Sequence, residues 1–211
     1  MINSEMKDQV KVAVIGVGSM GRNHARVYNE LPSASLVGVA DVDLSLAESV
    51  ASRNASRAYA SYQHMLEAER PEAVSIAVPT ADHEQVALDA LEAGCHLLIE
   101  KPIASTVAQG QGLVRKARAL DRKLMVGHIV RFNPAIQELK RRLQNDELGK
   151  IFQVVCRRVG PFPPRIRDVG VVVDLASHDL DLMRYLLEME PLRVYAEIER
   201  RIHTQHEDLL L

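Results

Sequence analysis

Six residues, Gly16-Val17-Gly18-Ser19-Met20-Gly21, constrain this chain more than any others. They follow the β-branched run Val10-Lys11-Val12-Ala13-Val14-Ile15 and precede a helical stretch reaching Leu31, so the G-x-G-x-x-G spacing stands between a strand and a helix. Each glycine then has its own task. Gly16 permits a tight turn, Gly18 lets backbone approach a pyrophosphate, and Gly21 lets the helix pack close to the strand, with Ser19 and Met20 completing the loop. The helix N-terminus offers N–H groups and partial positive charge to the phosphates. The apolar run at residues 36–40 ends at Asp41, 20 positions after Gly21. An acid there accepts hydrogen bonds from ribose hydroxyls and repels a 2′-phosphate, so NAD is expected as cofactor in preference to NADP.

The pattern repeats along the chain. Asp43 caps a helix through Ala47, Val50 and Ala51; a short helix covers 61–70, and residues 73–78 form a buried strand ending in Pro79-Thr80. Asp82 with Gln85 three places on predicts a capping-box start for a helix to Glu92, with His83 in its exposed first turn. Residues 95–99 form a further buried strand that delivers Glu100-Lys101-Pro102 at its end, where ligands sit in open parallel sheets. A helix over 105–120 and a strand over 123–127 follow. Five βα units predict an α/β fold, a Rossmann doubly wound parallel sheet over residues 1–128.

Beyond residue 128 the character changes. Asn133-Pro134 opens a helix ending near Gly149, residues 151–159 read as a long strand, and Gly160-Pro161-Phe162-Pro163-Pro164-Arg165-Ile166-Arg167-Asp168 reads as a stiff loop. A helix over 174–188 and a strand over 194–199 come next. The closing Leu209-Leu210-Leu211 reads as the start of another strand, so residues 129–211 are expected to form an incomplete α+β domain with an open mixed sheet, cut short.

Composition narrows the partners. Lys+Arg of 26 against Asp+Glu of 28, with 4% aromatic residues, argues against nucleic acid. The first ten residues are polar and no apolar run approaches a membrane span, so neither a secretory leader nor a membrane partner is expected, and a cytoplasmic location follows. Cys95 and Cys156 sit in apolar runs without CxxC spacing and read as buried thiols in a reducing compartment.

Asp174 and His178 stand four apart on the predicted helix and so face the same way, with Asp181 a turn further on. A carboxylate beside an imidazole makes a tunable acid–base group. The same spacing also suits an ordinary surface pair, or two of the ligands zinc needs, although no third ligand has an obvious source and no metal is expected.

Gly16-x-Gly18-x-x-Gly21, Asp41, Ala77-Val78-Pro79-Thr80-x-x-His83, Glu100-Lys101-Pro102 and Asp174-x-x-x-His178, in that order, resemble the glucose-fructose oxidoreductase / inositol dehydrogenase (Gfo/Idh/MocA) family. The resemblance implies an NAD-dependent dehydrogenase acting on a secondary hydroxyl of a sugar. Within the family, residues 160–168 and 171–178 resemble the branch acting on UDP-N-acetyl-hexosamines at the 3-position; a free-sugar or inositol enzyme, or a non-catalytic NAD-binding remnant, are the alternatives. The resemblance implies Lys101 and His178 as catalytic residues with Asp174 orienting His178, Asp174 and His178 also touching substrate. It implies Glu100 and Lys101 on the nicotinamide ribose, and Pro79, Thr80 and His83 along the cofactor. Arg165, Arg167 and Arg131 would grip the diphosphate of a nucleotide sugar. Full-length members run on for over a hundred residues in a domain that commonly forms a homo-oligomer interface.

Overall fold

The computed structural model describes residues 9–160 and 170–211, which divide into two compact units meeting at Gly127/His128. The first unit is a six-stranded parallel sheet. Its strands are β1 (Val10–Ile15), β2 (Ala34–Ala40), β3 (Arg57–Tyr59), β4 (Ala73–Ile76), β5 (His96–Ile99) and β6 (Leu124–Val126), in the order β3-β2-β1-β4-β5-β6. The order reverses between β1 and β4, which is where an open α/β sheet leaves a crevice at its carboxyl edge.

Both faces of this sheet are covered, and β1 shows why its sequence is apolar throughout. Val12 and Val14 point to one layer, with Ala25 of α1 (Gly21–Glu30) and Ala47, Val50 and Ala51 of α2 (Leu44–Arg53). Ala13 and Ile15 point to the other, with residues of α3 (Tyr62–Glu69), α4 (His83–Glu92) and α5 (Val107–Ala119). Each fully buried valine, leucine or isoleucine contributes about 1.5–3 kcal/mol relative to exposure. The alternation therefore sends successive side chains of β1 into opposite layers.

Local signals decide the ends of several helices. Asp43 accepts from the backbone of Ser45 and Leu46 as expected. The capping box expected at Asp82 does not form: a 3₁₀ turn, Thr80–Asp82, leads into α4, and Gln85 turns along the helix to Asp89 instead. A complete box forms at Thr106 and Gln109 of α5. The sixth strand, β3, was not legible as a strand, since three residues bounded by Arg57 carry too little apolar pattern.

In the second unit, Asn133 caps α6 (Pro134–Gln144) with Pro134 at its first position. The helix expected from Asp174 begins as a π-helical turn, Val172–Ala176, and continues as α7 (Ser177–Leu187). Buried Lys140 of α6 closes the C-terminus of α7, its Nζ donating to the carbonyls of Tyr185 (2.8 Å) and Leu186 (3.3 Å) and to Glu188 (2.6 Å). Residues 151–159 form no strand; Phe152 is 86% exposed, and Cys156 is exposed rather than buried. An apolar run supplies propensity only, and a strand exists by its ladder, which no described segment provides here. The expected mixed sheet is a two-stranded antiparallel one, β7 (Ile198–Glu199) with β8 (Leu209–Leu210), so the terminal leucines do pair. No helix among the described residues is long and apolar enough to cross a membrane.

Candidate functional site

The carboxyl ends of β1, β2, β4 and β5 gather the first group of expected site residues. At the end of β1, Gly16 has φ +82°, and a Cβ there would lie 2.8 Å from the backbone of Ala77 and Val78. A Cβ on Gly21 would stand 1.8 Å from the Gly16 carbonyl oxygen. The loop is thus folded back on the start of α1 at van der Waals distance. Gly18 differs, because a Cβ there would meet nothing within 4 Å: its need for glycine is not set by the protein around it. Met20 precedes α1 without a side-chain cap, and no acid stands in the first turn, which leaves the helix's partial positive charge uncompensated by side chains.

Asp41 ends β2 and is pinned to this loop. Its Oδ2 accepts the Val17 N–H at 2.8 Å and its Oδ1 the Asp43 N–H at 3.0 Å. At the end of β4, His83 is not the exposed first-turn residue its position suggested. It is 1% exposed, with Nδ1 2.8 Å from the Pro102 carbonyl oxygen and Nε2 3.0 Å from that of Val78. Three residues of 3₁₀ turn before α4 swing that first position inward. Its partners are backbone on both sides of the ring.

At the end of β5, Glu100 is 9% exposed and Lys101 follows it into the cis Lys101–Pro102 peptide. Glu100 Oε1 lies 2.8 Å from His24 Nε2 of α1, and its Oε2 accepts the Lys101 N–H at 3.3 Å. Burial works to raise the Glu100 carboxyl; the His24 hydrogen bond and charge, with Lys101, outweigh it and hold the group below the ordinary glutamate range. His24 carries no local sequence signal, standing 76 positions from its partner in an amphipathic helix.

The second unit holds the other expected residues. Asp174 lies in the π-helical turn and His178 is the second residue of α7, so the two do not share one continuous α-helix. Such turns place an extra residue in the helix and recur at functional sites. Asp181, 6% exposed, takes a bidentate pair from Arg131, with Nε at 2.8 Å, and has His128 Nδ1 at 3.6 Å. The Arg131 guanidinium also stacks over Tyr185 at 5.3 Å. Nε and Nη2 of its guanidinium are thus engaged inside the unit, where a diphosphate would compete with Asp181 for them. Arg165 and Arg167 lie outside the described residues. Among the described residues no group of three His, Cys, Asp or Glu is placed to hold a metal.

The loop, the bare helix start and the acid at the end of β2 fit a dinucleotide, and comparison with known proteins agrees. The model of an oxidoreductase family with an NAD-binding Rossmann fold, Gfo/Idh/MocA, matches residues 10–128, and that of the family's C-terminal domain matches residues 136–210. UDP-N-acetylglucosamine 3-dehydrogenase of Acidithiobacillus ferrooxidans is 38% identical over 187 residues, 89% of this chain and 57% of the relative. An inositol 2-dehydrogenase of Rhodococcus erythropolis is 34% identical over 185 residues, 86% of this chain and 54% of that protein. A crystal structure of the A. ferrooxidans enzyme GnnA superposes with a TM-score of 0.80 at 37% identity, covering 92% of this chain and 62% of that one. The chain therefore spans little more than half the length of the curated relatives it matches.

Proposed function

This chain belongs to the Gfo/Idh/MocA family of oxidoreductases, and on that premise we propose that it forms the cofactor-binding part and the start of the substrate-binding part of an NAD-dependent dehydrogenase, acting on a secondary hydroxyl of a UDP-N-acetyl-hexosamine. The observation that carries this reading is the convergence of Gly16, Gly18, Gly21, Asp41, Glu100 and Lys101 on the carboxyl ends of adjacent parallel strands.

Gly18 and the N–H groups of Ser19, Met20 and Gly21 at the start of α1 would take the pyrophosphate. The adenosine ribose falls to Asp41, whose Val17 and Asp43 bonds hold the carboxylate in place. Its negative charge favours NAD over NADP. Pro79 and Thr80, in the loop after β4, border the nicotinamide half, and Glu100 and Lys101 approach its ribose. Bound NAD supplies the hydride acceptor.

The chain's own chemistry is proton transfer and charge stabilisation. The Lys101 ammonium would hydrogen-bond the reacting hydroxyl and stabilise negative charge growing on its oxygen. His178 would remove the hydroxyl proton, and Asp174 would orient it and favour its charged form. Arg165 and Arg167 would hold the diphosphate of the nucleotide sugar bidentately. Two reduced cysteines and an NAD-linked reaction suit the cytoplasm.

The test is NADH formation when the chain is mixed with NAD and UDP-N-acetylglucosamine, with myo-inositol and free N-acetylglucosamine in parallel. NADH from the nucleotide sugar alone supports the reading. NADH from inositol or the free sugar alone overturns the nucleotide-sugar assignment. If no sugar yields NADH while NAD raises the melting temperature, this chain binds the cofactor without turnover.

A further inference from the structure

His24 is exposed over only 14% of its side chain and sits on the inner side of α1, the helix that opens at Gly21 directly after the phosphate loop. Its ring Nε2 donates to Glu100 Oε1 at 2.8 Å. The carboxylate cannot easily turn away. Its other oxygen is on the Lys101 N–H, and Gly127 lies against it, so close that a Cβ there would come within 3.1–3.3 Å of three carboxyl atoms. One buried pair thus joins the helix at the cofactor loop to the turn that carries Lys101.

We propose that His24 is a positioning residue of this oxidoreductase: it fixes the Glu100 carboxylate and, through the bond from that carboxylate to the Lys101 backbone N–H, the turn from which the Lys101 side chain projects. The proposal rests on the reading of Lys101 as catalytic. Removing a partner that orients a functional group through another commonly costs about 10–100-fold in affinity or activity at metal centres, where this has been measured best. A similar loss is expected here.

The test uses two amides of different reach. Gln can place an N–H near the position of histidine Nε2, whereas Asn falls short of Glu100, and Asn matches His in helix propensity. His24→Asn should lower kcat about tenfold or more with KM for NAD changed less than about threefold, and His24→Gln should recover most of the loss. A second readout needs no turnover. Reductive methylation with ¹³C-formaldehyde gives Lys101 a dimethylamino resonance, assigned by its absence in Lys101→Arg. That resonance should move in His24→Asn and Glu100→Gln and return in His24→Gln. A Lys101 resonance that stays put in both His24→Asn and Glu100→Gln overturns the proposal, whatever the melting temperatures do. If the resonance moves as expected but the parent protein oxidises no sugar, the positioning role stands and the catalytic reading of Lys101 falls.

Discussion

His83 meets the carbonyl oxygen of Pro102 through Nδ1 at 2.8 Å, while its Nε2 meets that of Val78 at 3.0 Å. One imidazole thus ties the loop after β4 to the turn after β5, from the sheet face opposite the one His24 occupies. The tautomer decides which ring nitrogen donates, so His83→Ala would strand one of the two carbonyl groups and leave a cavity in the layer beneath α4. A buried group left without its partner costs about 1–3 kcal/mol, so with the cavity urea denaturation should show a loss of about 3 kcal/mol. His83→Gln, able to serve one carbonyl, should fall between the two. An alanine variant as stable as the parent would show that the ring does not hold these loops.

Asp41 has two roles that substitutions can separate. Asp41→Asn keeps an oxygen for the Val17 N–H but gives up the Asp43 bond and the charge, whereas Asp41→Ala removes both bonds and the charge. Calorimetric titration should show Asn losing discrimination against NADP with a smaller fall in melting temperature than Ala, which loses both bonds. If NADP still fails to bind the Asn variant, the charge is not what sets the preference.

Gly21 and Gly18 should fail in different ways. A methyl at Gly21 would collide with the Gly16 carbonyl at 1.8 Å, and backbone on both sides cannot give, so Gly21→Ala should unfold more easily by at least about 1–3 kcal/mol. Gly18→Ala meets no protein atom and should melt like the parent while losing NAD affinity, because the methyl takes the space a pyrophosphate needs. Equal NAD affinity in Gly18→Ala would move the phosphate site elsewhere.

This contrast shows what the sequence can carry. Both glycines were legible from one spacing, since strand, loop and helix are contiguous and the turn between them is a local matter. Asp41 was legible for the same reason, but its bond to Val17 was not, because that depends on how β1 and β2 pair. His24 gave no signal at all: its meaning comes from Glu100, and only the sheet order brings them together. His83 reads as exposed from its first-turn position, which carries no sign of the 3₁₀ turn that precedes it. Residues 151–159 were read as a strand on composition, which says nothing about whether a neighbour exists to pair with. The Arg131–Asp181 pair was not legible either, because its two members stand fifty positions apart.

Glu100 predicts an acid dependence with a definite sign. Its folded-state pKa lies below the ordinary glutamate value, so the stabilisation it contributes is complete above about pH 5 and is lost as pH falls through the folded value. Glu100→Gln cannot titrate. The stability gap between the parent and this variant, from urea midpoints, should therefore be widest near neutrality and close on acidification. A gap that is constant with pH would mean that the His24 bond does not favour the charged carboxylate.

Lys101 is the residue on which binding and chemistry should part. Its backbone N–H serves Glu100 and survives any side-chain substitution, so Lys101→Ala should leave the turn and the cofactor site standing. NAD affinity is expected to change by less than about threefold, since most of the cofactor's proposed partners lie in the glycine loop and at Asp41. Turnover, measured on the sugar that the parent oxidises, should fall about a hundredfold or more, the range for loss of a group that acts on the reacting proton and charge. Lys101→Arg keeps the charge but not the compact ammonium, and should recover only a fraction. If Lys101→Ala turns over at the parental rate, the catalytic assignment fails, and the turn after β5 serves the cofactor alone.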